Sequence, residues 1–111
     1  MQRQPCVYVL ASRRHGTLYV GATSDLLGRL HQHRTKATQG FTSRYAVHHL
    51  VHYEMADTMD AATAREKQLK AWKRDWKIAL IEEHNPLWED RAVEFGFEPL
   101  GNPSKGRVHG S

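Results

Sequence analysis

A single cysteine, Cys6, stands among the 111 residues, so no disulfide can form within the chain. That usage fits a reducing compartment, and a cytoplasmic location is expected. Cys6 has no activating setting in the sequence and reads as a packed thiol of the first strand. Long hydrophobic runs are missing as well. None approaches the roughly 20 residues that span a bilayer, so no membrane segment is expected. The opening Met1-Gln2-Arg3-Gln4-Pro5 leads into no apolar signal-peptide core, so no secretory leader is expected either. No internal repeat is visible. Acidic residues are scarce in the first half: before Glu54 only Asp25 is acidic, against seven Lys or Arg.

What is present suffices for one small domain. Hydrophobic residues make up 40% of the chain and there are three tryptophans, which argues against general disorder. The formal net charge is +4 with a pI near 9.5. A second basic stretch, Arg65, Lys67, Lys70, Lys73, Arg74 and Lys77, precedes an acidic C-terminal part holding Glu82, Glu83, Glu89, Asp90, Glu94 and Glu98. Such asymmetry suits a side that faces a polyanion and a side that faces water.

Two runs rich in β-branched and aromatic residues flank Arg13-Arg14-His15-Gly16 and predict a hairpin, with strands near 6–11 and 17–21. Ser24-Asp25 is a good N-cap for a helix from about Asp25 to Arg34, carrying Leu26, Leu27 and Leu30. Residues 35–47 read as a basic loop around Gly40 and Ser43. His49 to Met55 alternates as a third strand with one buried face. Asp60 is expected to cap a helix from Ala61 to about Trp72. A further helix, about Trp76 to His84, should bury Ile78, Ala79, Leu80 and Ile81 and stop before Asn85-Pro86. Trp88 to Phe97 suggests a short helical turn, and 98–111, with Pro99, Pro103 and three glycines, a mobile tail. The expectation is a small α+β domain over residues 4–90, with three antiparallel or mixed strands and helices packed on them.

Chemistry-bearing residues fall in a telling order. Tyr8 lies in Val7-Tyr8-Val9 and Tyr19 in Tyr19-Val20-Gly21, on strands expected to be neighbours. Arg29 follows ten residues later, with His33 at i,i+4 on the same helix face. Two phenols, a guanidinium and an imidazole on one patch suit phosphate chemistry better than core packing.

This pattern resembles the GIY-YIG nuclease family in its small single-domain form. Val7-Tyr8-Val9 and Tyr19-Val20-Gly21 stand where the family has its two tripeptides, Arg29 at its helix arginine, and His33 where members carry His or Tyr. Ala62-Thr63-Ala64-Arg65-Glu66 is similar to the family's alanine-rich turn ending in a metal-binding glutamate. The resemblance spans about residues 4–90. It implies a metal-dependent endonuclease or nickase acting on DNA, with one Mg²⁺ or Mn²⁺ held by Glu66 and no small-molecule cofactor. Arg29 would grip phosphate, Tyr8 or Tyr19 would take a proton from water, and His33 would accept or relay it. A phenol with a pKa near 10 is a poor base, so neighbouring cations would have to lower it.

Two departures stand out. Ala22 follows the second tripeptide where many members have lysine, and Leu87, Trp88, Glu89 and Asp90 follow Pro86 where many carry asparagine. They support the alternative of a nucleic-acid-binding module with the same fold and little cleavage. Backbone contacts are expected from Lys36, Arg44, Lys70, Lys73 and Arg74. Trp72 and Trp76 either stack bases beside them or anchor helices. The eight histidines do not make a zinc site: His31 and His33 at i,i+2 point apart on a helix, and His48, His49 and His52 diverge along a strand.

Overall fold

The computed structural model describes residues 4–35 and 47–98. Lys36, Arg44, most of the expected basic loop and all but Glu98 of the expected tail lie outside them. Strands β1 (Cys6–Ala11), β2 (Leu18–Thr23) and β3 (His49–Met55) form one sheet in the order β2-β1-β3, antiparallel throughout. Helix α1 (Leu26–Thr35) follows β2, and α2 (Met59–Ala71) and α3 (Arg74–His84) follow β3. A 3-10 helix spans Arg91–Phe95. The fold is therefore α+β, with the antiparallel arrangement realised. No helix among the described residues is long and apolar enough to cross a membrane.

Every residue of β1 is buried. Its run Cys-Val-Tyr-Val-Leu-Ala is apolar on both sides except for one phenol, as a central strand covered on both faces requires. Cys6, Tyr8 and Leu10 meet Leu26 and Leu30 of α1, Leu50 of β3 and Ala92 of the 3-10 helix. Val7, Val9 and Ala11 face the other way, onto Leu69 of α2, Ile81 of α3 and Trp88. Burial raises the Cys6 thiol to about 11, so it packs as an inert core group.

The hairpin closes where glycine predicts it, but His15 takes the left-handed backbone (φ 59°). Gly16 is needed for close approach instead: a Cβ there would sit 2.3 Å from the Ser12 hydroxyl. The hairpin tip is held from outside, since Arg74 donates to the His15 and Gly16 carbonyls at 2.6 and 2.7 Å. His15 in turn meets Glu82 of α3 at 2.8 Å.

Local capping differs from the expectation in one place. Asp25 caps α1, its carboxylate accepting the Gly28 N–H at 3.1 Å. The start of α2 belongs to Thr58 rather than Asp60, because the Thr58 hydroxyl accepts from Ala61 N–H at 3.1 Å. Asp60 then lies in the first turn, where its charge suits the helix dipole. In α3 only Ile81 of the expected four is fully buried, Ile78 and Leu80 are partly buried, and Ala79 faces water.

Strict alternation fails in β3. Val9 pairs with His52 and Leu10 with Leu50, leaving Val51 as the extra residue of a β-bulge. Leu50, Val51 and His52 are consequently all buried. Asn85 completes the bulge: its side-chain amide donates to the Val51 carbonyl at 3.0 Å and to the Glu89 carbonyl at 2.9 Å. Its carbonyl oxygen accepts Glu89 N–H at 3.0 Å. The asparagine before Pro86 thus stitches the end of α3 to the sheet.

The C-terminal segment is fastened by one buried ion pair. Arg34 at the end of α1 donates to both Asp90 oxygens at 2.7 and 2.6 Å, with side chains 8% and 10% exposed. Asp90 also accepts Leu50 N–H and caps the 3-10 helix at Ala92 N–H, each at 3.1 Å. Removing one partner from such a pair typically costs about 3–5 kcal/mol, because the other charge is left buried alone. Asp90→Ala should therefore lower the unfolding free energy measured by urea titration by about 3–5 kcal/mol, while a paired Arg34→Met/Asp90→Leu variant loses clearly less. Equal losses in both would assign the effect to the Leu50 and Ala92 N–H groups that Asp90 accepts rather than to its pair with Arg34.

Candidate active site

The patch begins with Tyr8, which β1 carries into the α1 side of the sheet. It is 2% exposed, and its ring crosses neighbouring β2 at Gly21. A Cβ on Gly21 would stand 2.6 Å from the Tyr8 Cζ and Oη atoms. The glycine of the second tripeptide is therefore the space in which the first tripeptide's phenol lies. Tyr19 pairs with Leu10, so period two puts it on the same face as Tyr8. The two phenol rings are 6.3 Å apart.

Helix α1 supplies the next partner. His33 is 4% exposed, and its Nε2 hydrogen-bonds the Tyr8 hydroxyl at 3.3 Å. The Tyr19 ring meets the same imidazole at 5.7 Å, edge to face. Tyr8, Tyr19 and His33 thus form one contiguous cluster. Arg29 lies one turn earlier on α1 with its side chain exposed. Its positive charge reaches both Tyr8 and His33, and the negative charge of Glu66 on α2 reaches Tyr8.

Glu66 is partly buried and ion-paired with Lys70 at 2.8 Å, one turn on. Lys70 itself is half-exposed, so this carboxylate is covered by a partner that can move away into water. Of the other expected backbone contacts, Lys73 is exposed and makes no ion pair among the described residues. Arg74 is committed to the hairpin carbonyls. Among the described residues no three His, Cys, Asp or Glu side chains gather as a metal cluster. A lone carboxylate such as that of Glu66 is a donor of the kind that hard, largely hydrated divalent cations accept beside their waters.

The electrostatics correct one expectation. Burial pushes the Tyr8 phenol well above its ordinary value of 10.0, and Tyr19, Cys6 and Glu66 push the same way. Arg29 opposes them and loses. Desolvation of a charge outweighs attraction to an exposed guanidinium across solvent. Tyr8 therefore carries its proton at neutral pH rather than standing ready as a phenolate. His33 shifts the other way: burial, then the charges of Arg29 and His48, hold it below 6.5, and it is neutral. The buried pair is an intact phenol against a neutral imidazole.

Four further contributors are visible in the sequence without their roles. Gly21 clears room for Tyr8, and Asn85 and Asp90 brace the elements beneath. His48 also lowers the pKa of His33. The polar residues around Pro86 were signals of a kind, but only their partners reveal their use.

A family model described as the GIY-YIG catalytic domain matches residues 4–79. A UPF0213 protein of Haloquadratum walsbyi is 36% identical over 67 residues, which cover 60% of this chain and 75% of that protein. A UPF0213 protein of Staphylococcus aureus is 34% identical over 68 residues, covering 61% of this chain and 83% of that protein. No solved structure matches the chain significantly. With more than half of its residues matched by the family's catalytic domain, this chain belongs to the GIY-YIG nuclease family.

Proposed function

We propose that the protein is a divalent-metal-dependent endonuclease or nickase that hydrolyses phosphodiester bonds in DNA during repair or processing. The observation that carries this reading is the buried hydrogen bond between the Tyr8 hydroxyl and His33 Nε2, flanked by the charges of Arg29 and Glu66.

In this reading water attacks the phosphorus and the bond to the 3′ oxygen breaks. Tyr8 takes the proton of the attacking water as it passes its own to neutral His33, so no phenolate has to form in a buried site. This two-step transfer needs both groups in the protonation states that burial enforces. Arg29 grips two non-bridging oxygens through its planar guanidinium. Tyr19, packed against His33, orients the imidazole. Mg²⁺ or Mn²⁺ held by Glu66 would polarise the phosphate and stabilise the departing oxygen. Lys70 releases the Glu66 carboxylate for that role and can turn to the DNA backbone, where Lys73 joins it. Ala22, at the position of the family's lysine, favours the second reading, a DNA-binding module with little cleavage.

Substitutions separate the two readings. Glu66→Ala should abolish Mg²⁺-dependent nicking and leave the fold and most DNA affinity intact. Arg29→Ala should weaken binding and slow nicking by about a hundredfold, the usual cost of one electrostatic contact to a transition state. Nicking that survives Glu66→Ala would place the activity elsewhere, and binding without cleavage under Mg²⁺ and Mn²⁺ would favour the module.

The proton relay predicts a direction with pH. His33 accepts a proton only when neutral, and its folded pKa lies below 6.5. Single-turnover nicking should be level above that value and fall as acid protonates His33. His33→Gln should slow the reaction and remove this acid limb. An unchanged acid limb in that variant would rule out His33 as the acceptor.

A further inference from the structure

The tryptophans between α2 and α3 remain outside the chemistry just described. Trp72 closes α2 and is partly buried against the face of Val7 and Val9. The Arg65 guanidinium covers its ring at 5.0 Å and is itself tied to Glu54 at 2.9 Å. Trp76, in the first turn of α3, is 54% exposed. The two indoles meet at 5.9 Å and 82°, making a corner rather than a stack. That corner opens into a groove of about 380 Å³ lined by Trp72, Trp76, Ala79, Leu80 and Glu83.

We propose that this groove is a stacking site for an unpaired nucleobase of the bound nucleic acid, an inference that rests on the nucleic-acid reading above. Charge supports the choice of occupant. From Lys70 to Lys77 the chain carries four cations against one carboxylate, Asp75. Lys73, the N-cap of α3, and Lys77, in the turn that follows, bracket Trp76 along the chain and form no ion pair among the described residues. Glu83 at the far end repels phosphate but can accept from a base's exocyclic amine. The backbone would then follow the lysines while the base enters the groove. A second copy of this chain is the poorer occupant. A two-fold interface would set the patch against itself and bring the lysines of both copies together, where interface cores are depleted in lysine.

The test uses the full chain in EDTA with three labelled probes: a mixed-sequence single strand, an abasic strand of equal length, and a duplex. Tryptophan quenching and anisotropy report binding. Wild type should bind the base-bearing strand about tenfold more tightly than the abasic one. Trp76→Ala should erase that preference and Trp76→Phe should keep most of it, neither changing the dependence on salt. Lys73→Ala/Lys77→Ala should instead weaken all three complexes and flatten the salt slope by about two. Unchanged binding of the single strand by Trp76→Ala overturns the proposal and leaves the nuclease reading intact. A wild-type dimer in sedimentation that Trp76→Ala dissociates, with DNA binding unaltered, assigns the groove to a second copy and overturns it too. Failure of wild type to bind any of the three probes at low salt overturns the nucleic-acid reading and this inference with it.

Discussion

Tyr8 carries a hydroxyl into the middle of a sheet whose central strand is buried from end to end. A buried hydroxyl without a partner costs on the order of 1–3 kcal/mol, so the surrounding elements must answer it. Glycine at position 21 opens the space for the ring, and the imidazole of His33 meets the oxygen. His33 can do so only if the last turn of α1 is held in place. The next residue, Arg34, provides that hold through its buried pair with Asp90. One buried polar group thus links β1, β2, α1 and the C-terminal segment.

Burial also sets the chemistry. An exposed arginine beside a phenol is commonly expected to lower its pKa, and Arg29 does act in that direction. The low polarity around Tyr8 acts against it and wins, while the same environment keeps His33 neutral. The consequence is a pair of neutral groups joined by a hydrogen bond, suited to passing a proton rather than to holding a charge. Charged groups are kept at the rim, with Arg29 on α1 and Glu66 on α2.

The far side of the sheet is organised by different means. Val51 is displaced by a bulge, and its carbonyl would lack a sheet partner without Asn85. Glu82 receives the Trp88 indole N–H at 2.7 Å and the His15 ring at 2.8 Å, tying the hairpin tip to the segment after α3. Trp76 stands 54% exposed, although Trp72, four residues earlier, packs against the core.

Strands β1 and β3 were legible at 6–11 and 49–55, because β-branched and aromatic runs bounded by polar residues have few other conformations. So were the cap at Asp25 and the order of Tyr8, Tyr19, Arg29, His33 and Glu66 along the elements. The strands and the cap depend on spacing within a few residues, which a chain carries locally. Thr58 displaced Asp60 as cap because two good capping residues stood close together, and only the observed turn chose between them. The bulge at Val51, the ion pair of Arg34 with Asp90 and the raised pKa of Tyr8 depend on groups 34, 56 and up to 58 residues away. No local pattern encodes them, since burial and long-range pairing exist only once the sheet and helices have packed.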